Sequence, residues 1–216
     1  MTGLAFWSTS RVAGVLLILG SLLVLSAAGS YGSVRDKGGP VIFGQPPREW
    51  LRLVFEHQAL WRVASILFIA GVITTLLGLA LLGSLLSKAG APNFVQVGLV
   101  AYVVGAVMFV INLAARLTVD PWAAKATAET GVIPDVYAPL TMWIGALFVI
   151  FTILTFAALA IYGGAVLATG LLPSWAGWLA IVYGLGGLGL LAAIRDAPPF
   201  LHYLMPILLG VLLLLA

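Results

Sequence analysis

The chain contains no cysteine, which excludes disulfides, thiolate metal sites, iron–sulfur clusters and a cysteine nucleophile. It leaves the redox compartment open. Charge is nearly as scarce: 8% of 216 residues are Asp, Glu, Lys or Arg, where a soluble domain carries about 25%. The formal charge of +3 rests on ten basic and seven acidic side chains, too few and too scattered to hold nucleic acid. Short chemical signatures are missing as well. There is no Walker A sequence, no dinucleotide-binding glycine fingerprint after a strand, no H-E-x-x-H and no G-x-S-x-G. No lysine lies inside an apolar run, so a retinal Schiff base has no anchor. Acids are absent from the middle of those runs, which disfavours a proton-coupled carrier.

What is present is apolar. Hydrophobic residues make up 62% and the mean hydropathy is +1.17, so lipid must be the solvent for most of the chain. At ~20 apolar residues per helical crossing, 216 residues hold about six spans and little else. The expected fold is all-α: a polytopic transmembrane helical bundle forming a single integral membrane domain over 1–216. Apolar runs bounded by charge, Pro or Gly place the spans near 11–31, 61–86, 95–117, 138–168, 174–194 and 199–216. The N-terminal segment lacks a cleavage site after a short apolar core, so the first run reads as a retained span. RDAPP at 195–199 should interrupt any continuous helix, because Pro198 and Pro199 cannot sit in a helix interior. That favours two short spans there over a re-entrant pair. The last run reaches Ala216 without a polar flank, which fits a stop at the membrane surface or a chain that continues.

Between spans 1 and 2 lies the one substantial extramembrane segment, 32–60. Its first half is Gly- and Pro-rich and reads as irregular loop. Its second half, REWLRLVFEHQALWR, is amphipathic. Trp50, Leu53, Val54 and Leu60 recur at helical steps, while Arg48, Arg52 and Glu56 share another face. Pro47 suits a helix start, and the pattern predicts an interfacial helix lying on the membrane. The tryptophans Trp7, Trp50, Trp61, Trp122, Trp143, Trp175 and Trp178 fall at span boundaries, as an anchoring belt would. Small residues recur every four positions at Ala70/Thr74/Gly78, Ala160/Gly164/Ala168 and Ala176/Ala180/Gly184. Such stripes let helices approach closely. Gly186, Gly187 and Gly189 make span 5 smooth enough for tight packing, a flat ligand or a partner helix.

Six spans put the 1–2, 3–4 and 5–6 loops on one side of the membrane. That side receives every charged residue except Arg11 and Lys88, and both histidines. Eight of the ten basic residues there point that face to the cytoplasm, although all seven acids accompany them.

Three groups on the polar face are candidate sites. Asn112, Arg116 and Asp120 share one helical face at four-residue spacing, and edge or intramembrane ionisable groups are often functional. Against this, Arg116 can snorkel to headgroups and Asp120, before Pro121, can cap a following turn. Glu56, His57 and Arg62 offer acid–base chemistry, although neighbours on a helix point apart and a solvated face explains them as well. Arg195, Asp196 and His202 form the third group. His202 could meet His57 and share a haem or metal, but no carboxylate stands at ligand spacing, and no metal site is assigned.

RVAGVLLILGSLL, LWRVASILFIAGVITTLLGLALL and GLLPSWAGWLAIVYGLGGLG resemble the DUF4386-like family of uncharacterised bacterial multi-pass membrane proteins. The resemblance implies about six spans with a long first loop and location in the bacterial inner membrane. It carries over no functional residue. The leading functional expectation is a non-catalytic accessory or scaffold subunit of a membrane complex, binding lipid, quinone or pigment between its helices, with other membrane subunits or a homo-oligomer as partners. The alternative is a small transporter or channel working as an oligomer. A lipid-modifying membrane enzyme comes third.

Overall fold

A computed structural model describes residues 8–33 and 46–215. Trp7, the Gly- and Pro-rich half of the first loop and Ala216 lie outside the described residues. The described chain forms seven helices: α1 (Thr9–Ser33), α2 (Pro47–Glu56), α3 (Gln58–Lys88), α4 (Pro92–Thr130), α5 (Tyr137–Thr169), α6 (Ser174–Ile194) and α7 (Leu201–Leu215). Among the described residues there is no strand. Five helices (α1, α3, α4, α5 and α6) are long and apolar enough to cross a membrane, which makes the molecule a polytopic helical bundle. The sixth expected span is α7, a shorter apolar helix of 15 residues, about 22 Å long at 1.5 Å per residue. It follows an interruption at RDAPP.

Neighbouring helices run α7, α1, α3, α4, α5, α6 in space, with lighter contacts of α7 to α5 and α6. Glycines set the closest crossings. A Cβ on Gly14 would stand 2.7 Å from the Gly210 carbonyl, and one on Gly71 2.7 Å from the Gly20 carbonyl. The same holds between α5 and α6, where a Cβ on Gly163 would meet the Gly177 carbonyl at 2.6 Å. In lipid, where apolar surface gains little from leaving the solvent, such backbone contact is the main source of helix association. Of the expected stripes, Ala176, Ala180 and Gly184 are buried, while Ala168 is exposed. Gly186 and Gly189 have nothing within 4 Å of a would-be Cβ, so of the three smooth-face glycines only Gly187 packs within the bundle, against the Phe156 ring.

The largest departure from expectation is at α4. It does not end near 117 but runs 39 residues, about 58 Å, continuing through Pro121 to a left-handed Gly131 at φ 73°. Asp120 therefore sits inside a helix and caps nothing. The extra turns are Ala-rich, which suits helix, and a second small core covers them. In it Leu51 and Val54 of α2 pack with Trp61, Ala123, Ala124 and Tyr137. The amphipathic helix forms where its pattern predicts, and its apolar face rests on α4 rather than on lipid alone. Trp50 and Trp61, expected as membrane anchors, meet edge to face at 4.9 Å in this cap. Trp122, Trp143, Trp175 and Trp178 are exposed, as belt residues would be.

Candidate functional site

The long α4 and the start of α5 stand side by side beyond the end of α6, and a cleft opens between them. Its volume is about 720 Å³. The register of the helices sets its levels. Asn112 donates from Nδ2 to the Ile144 carbonyl at 2.7 Å, so these two residues lie at one height. The α5–α6 pairing places Gly177 by Gly163, Gly184 by Ala160 and Gly187 by Phe156. Continuing that antiparallel pairing brings Arg195, just past α6, to about the height of Phe148. From Val149 to Tyr137 the cleft follows α5 for roughly 18 Å at 1.5 Å per residue. Ile144, Gly145, Phe148 and Val149 line one end, and Asp120, Asp135, Tyr137 and Pro47 line the other, with Arg195 and Asp196 at the inner rim.

Four-residue spacing on α4 produces a polar ladder into this cleft. Arg116 donates from Nε to Asn112 Oδ1 at 3.2 Å, and its guanidinium stands 3.9 Å from Asp120 Oδ2. Tyr137 donates its hydroxyl to Asp120 Oδ1 at 3.2 Å. Asp120 is only 2% exposed. Its Oδ2 has the Arg116 guanidinium as ionic partner, and the Trp50 indole stands beside the same carboxyl as a further donor. Trp61 braces the ladder from behind, donating Nε1 to the Arg116 carbonyl at 3.1 Å.

The structure thus brings together Asn112, Arg116 and Asp120 with Arg195 and Asp196 from the third candidate group. Asp196 accepts the Ala197 amide on Oδ1 at 2.7 Å, which ties down the turn. Arg195 takes a left-handed conformation at φ 56° to cap α6. The second group stays apart. Glu56 pairs with Arg52 at 2.8 Å, and the exposed His57 marks the break between α2 and α3. Arg62 is exposed one turn further on.

His202 does not join His57. It is fully buried, with ring centroids 4.6 Å from Phe151 and 4.4 Å from Phe156, and Nδ1 lies 3.0 Å from the Pro199 carbonyl. Aromatic packing of α7 against α5 draws this imidazole into the core. Among the described residues no group of three or more His, Asp or Glu side chains can hold a metal. The cleft lining holds Arg116 but neither histidine.

Sequence reasoning placed none of Tyr137, Trp50 and Asp135 in a candidate site. A tyrosine and a tryptophan at span edges look like belt residues, and only the α2–α4–α5 cap turns them toward Asp120.

No protein-family model, no curated protein and no solved structure matches the chain. The likeness to the DUF4386-like family therefore rests on the quoted segments alone.

Proposed function

We propose that this chain is a non-catalytic accessory protein of the bacterial inner membrane that holds one amphiphile, of the lipid, quinone or pigment class, in the α4–α5 cleft. One observation carries the reading. The cleft has the size of a small-molecule site, commonly about 300–1,000 Å³, and its lining combines the apolar Ile144, Phe148 and Val149 with the charged Arg116, Asp120, Asp135, Arg195 and Asp196. Apolar and charged surfaces in one slot suit a molecule that carries both. In the proposed layout α7 completes six crossings, and the cleft belongs to the charge-bearing face.

Purification in mild detergent, solvent extraction and mass spectrometry, with a visible absorption spectrum, test the reading. A stoichiometric amphiphile is expected. Gly145→Trp should expel it, since a side chain at Gly145 has open space before it and an indole would fill the slot. A folded preparation with no bound amphiphile, or one that keeps it unchanged in the Trp variant, overturns the reading.

A further inference from the structure

Resting on that reading, we infer that the amphiphile is a long-chain molecule that enters sideways from the bilayer, its tail lying in an open apolar track on α5. Met142, Gly145, Val149 and Ile153 follow one another at three- and four-residue steps, which puts them on one face of that helix. Gly145 and Val149 line the cleft. The side chains of Met142, Val149 and Ile153 are all exposed, and a Cβ on Gly145 would meet nothing within 4 Å. One end of the track therefore belongs to the cleft. The other end, Ile153, lies near the middle of a helix long and apolar enough to cross a membrane. An exposed isoleucine at that position has lipid for its solvent.

The length of the track decides what fits it. The same face of α5 continues through Phe156 and Ala160, where Gly184 and Gly187 of α6 already pack. Only the part from Met142 to Ile153 stays open, about 16 Å of helix against the ~30 Å of a hydrocarbon core. A membrane-crossing helix from a partner needs the whole face, and α6 holds the rest of it. A flexible alkyl or isoprenoid chain needs no such length and lies beside the last turns of α6. Its polar end then rests in the cleft, whose lining carries the charges. The route follows from the same geometry. A tail arriving from water passes the charged lining, at a cost in desolvating it, whereas a tail arriving from lipid meets only Ile153, Val149 and Gly145.

The test uses the full chain, whose lack of cysteine makes every introduced thiol unique. Ile153→Cys places the reporter in the track but outside the cleft lining, and Val182→Cys, exposed on α6, is the control. With the amphiphile bound in mild detergent, N-ethylmaleimide should modify Ile153→Cys about tenfold more slowly than after the amphiphile is stripped, and Val182→Cys equally fast in both states. Stripped protein is then blocked with pyrenyl maleimide and returned to liposomes of a total lipid extract from the producing cells. Reloading, read by mass spectrometry, should be lost in blocked Ile153→Cys and kept in blocked Val182→Cys. Should Ile153→Cys fail to fold, Val149→Cys serves as the second reporter. Equal modification with and without amphiphile, full reloading past the pyrene, or a bound molecule without a long chain overturns this inference and leaves the amphiphile reading intact. An unsubstituted protein that carries no amphiphile removes the reading beneath it.

Discussion

The indole N–H of Trp61 donates to the main-chain carbonyl of Arg116 across 3.1 Å, joining the first turn of α3 to the middle of the polar ladder on α4. Trp61 is 6% exposed, so it acts as a strut inside the protein. Removing the donor while keeping an aromatic ring tests that role. Trp61→Phe should lower stability by about 1–2 kcal/mol, the net worth of one buried hydrogen bond and of the smaller ring. Trp61→Ala should cost about 3–5 kcal/mol through the cavity it leaves. Thermal unfolding in detergent, followed by circular dichroism, reads both. Equal stability of Trp61→Phe and the unsubstituted protein would show that the bond carries no weight.

Glycines on α5 and α6 should differ sharply in tolerance. Gly163→Val places branches where a Cβ alone would sit 2.6 Å from the Gly177 carbonyl, and overpacking of this kind costs about 1–3 kcal/mol or more. Gly186→Val meets open space and should leave the unfolding midpoint nearly unchanged. If the two variants melt alike, the α5–α6 contact is not set by backbone approach.

Arg195 is the one non-glycine residue with positive φ among the described residues. A non-glycine in the left-handed region costs on the order of 1 kcal/mol. Arg195→Gly should therefore fold at least as stably, gaining up to about 1 kcal/mol, as thermal unfolding in detergent would show. A clear loss of stability would mean that the side chain contributes more to the fold than its backbone costs.

The α2 helix should respond to acid. Hydrogen bonding from Arg52 holds the Glu49 carboxyl below its ordinary value of 4.5, and Glu56 grips the same guanidinium. Because the folded-state value is depressed, the Glu49 contribution is fully present above the unfolded carboxylate range and is lost as pH falls through the folded value. Hydrogen exchange of 47–56 should quicken as pH drops below about 4.5, after correction for the intrinsic pH dependence of exchange. In Glu49→Gln that pH-dependent step should shrink, and an unchanged step would assign it to another group.

Much of the helix layout is legible in the primary structure because lipid-facing runs need no partner to declare themselves. Span 5 was expected at 174–194 and α6 occupies Ser174–Ile194, since Pro173 and the left-handed Arg195 bound it locally. The end of α4 was not legible. Pro121 reads as a stop by local rules, and the Ala-rich turns after it become a stable helix once Leu51 and Val54 cover Ala123 and Ala124. Those residues come from a segment more than sixty positions earlier, and nothing local to Pro121 signals their arrival.

The candidate site divides in the same way. Four-residue spacing alone aligned Asn112, Arg116 and Asp120, because helical periodicity places them on one face whatever surrounds them. That Arg195 and Asp196 line the same cleft, that Tyr137 reaches Asp120, and that His202 turns into an aromatic core away from His57 were decided by tertiary packing. Composition and periodicity determined that the chain is a membrane-embedded bundle of apolar helices. Which of its charges meet was decided by helix register and by the unequal lengths of α4, α5 and α6, quantities set by long-range contact between backbones.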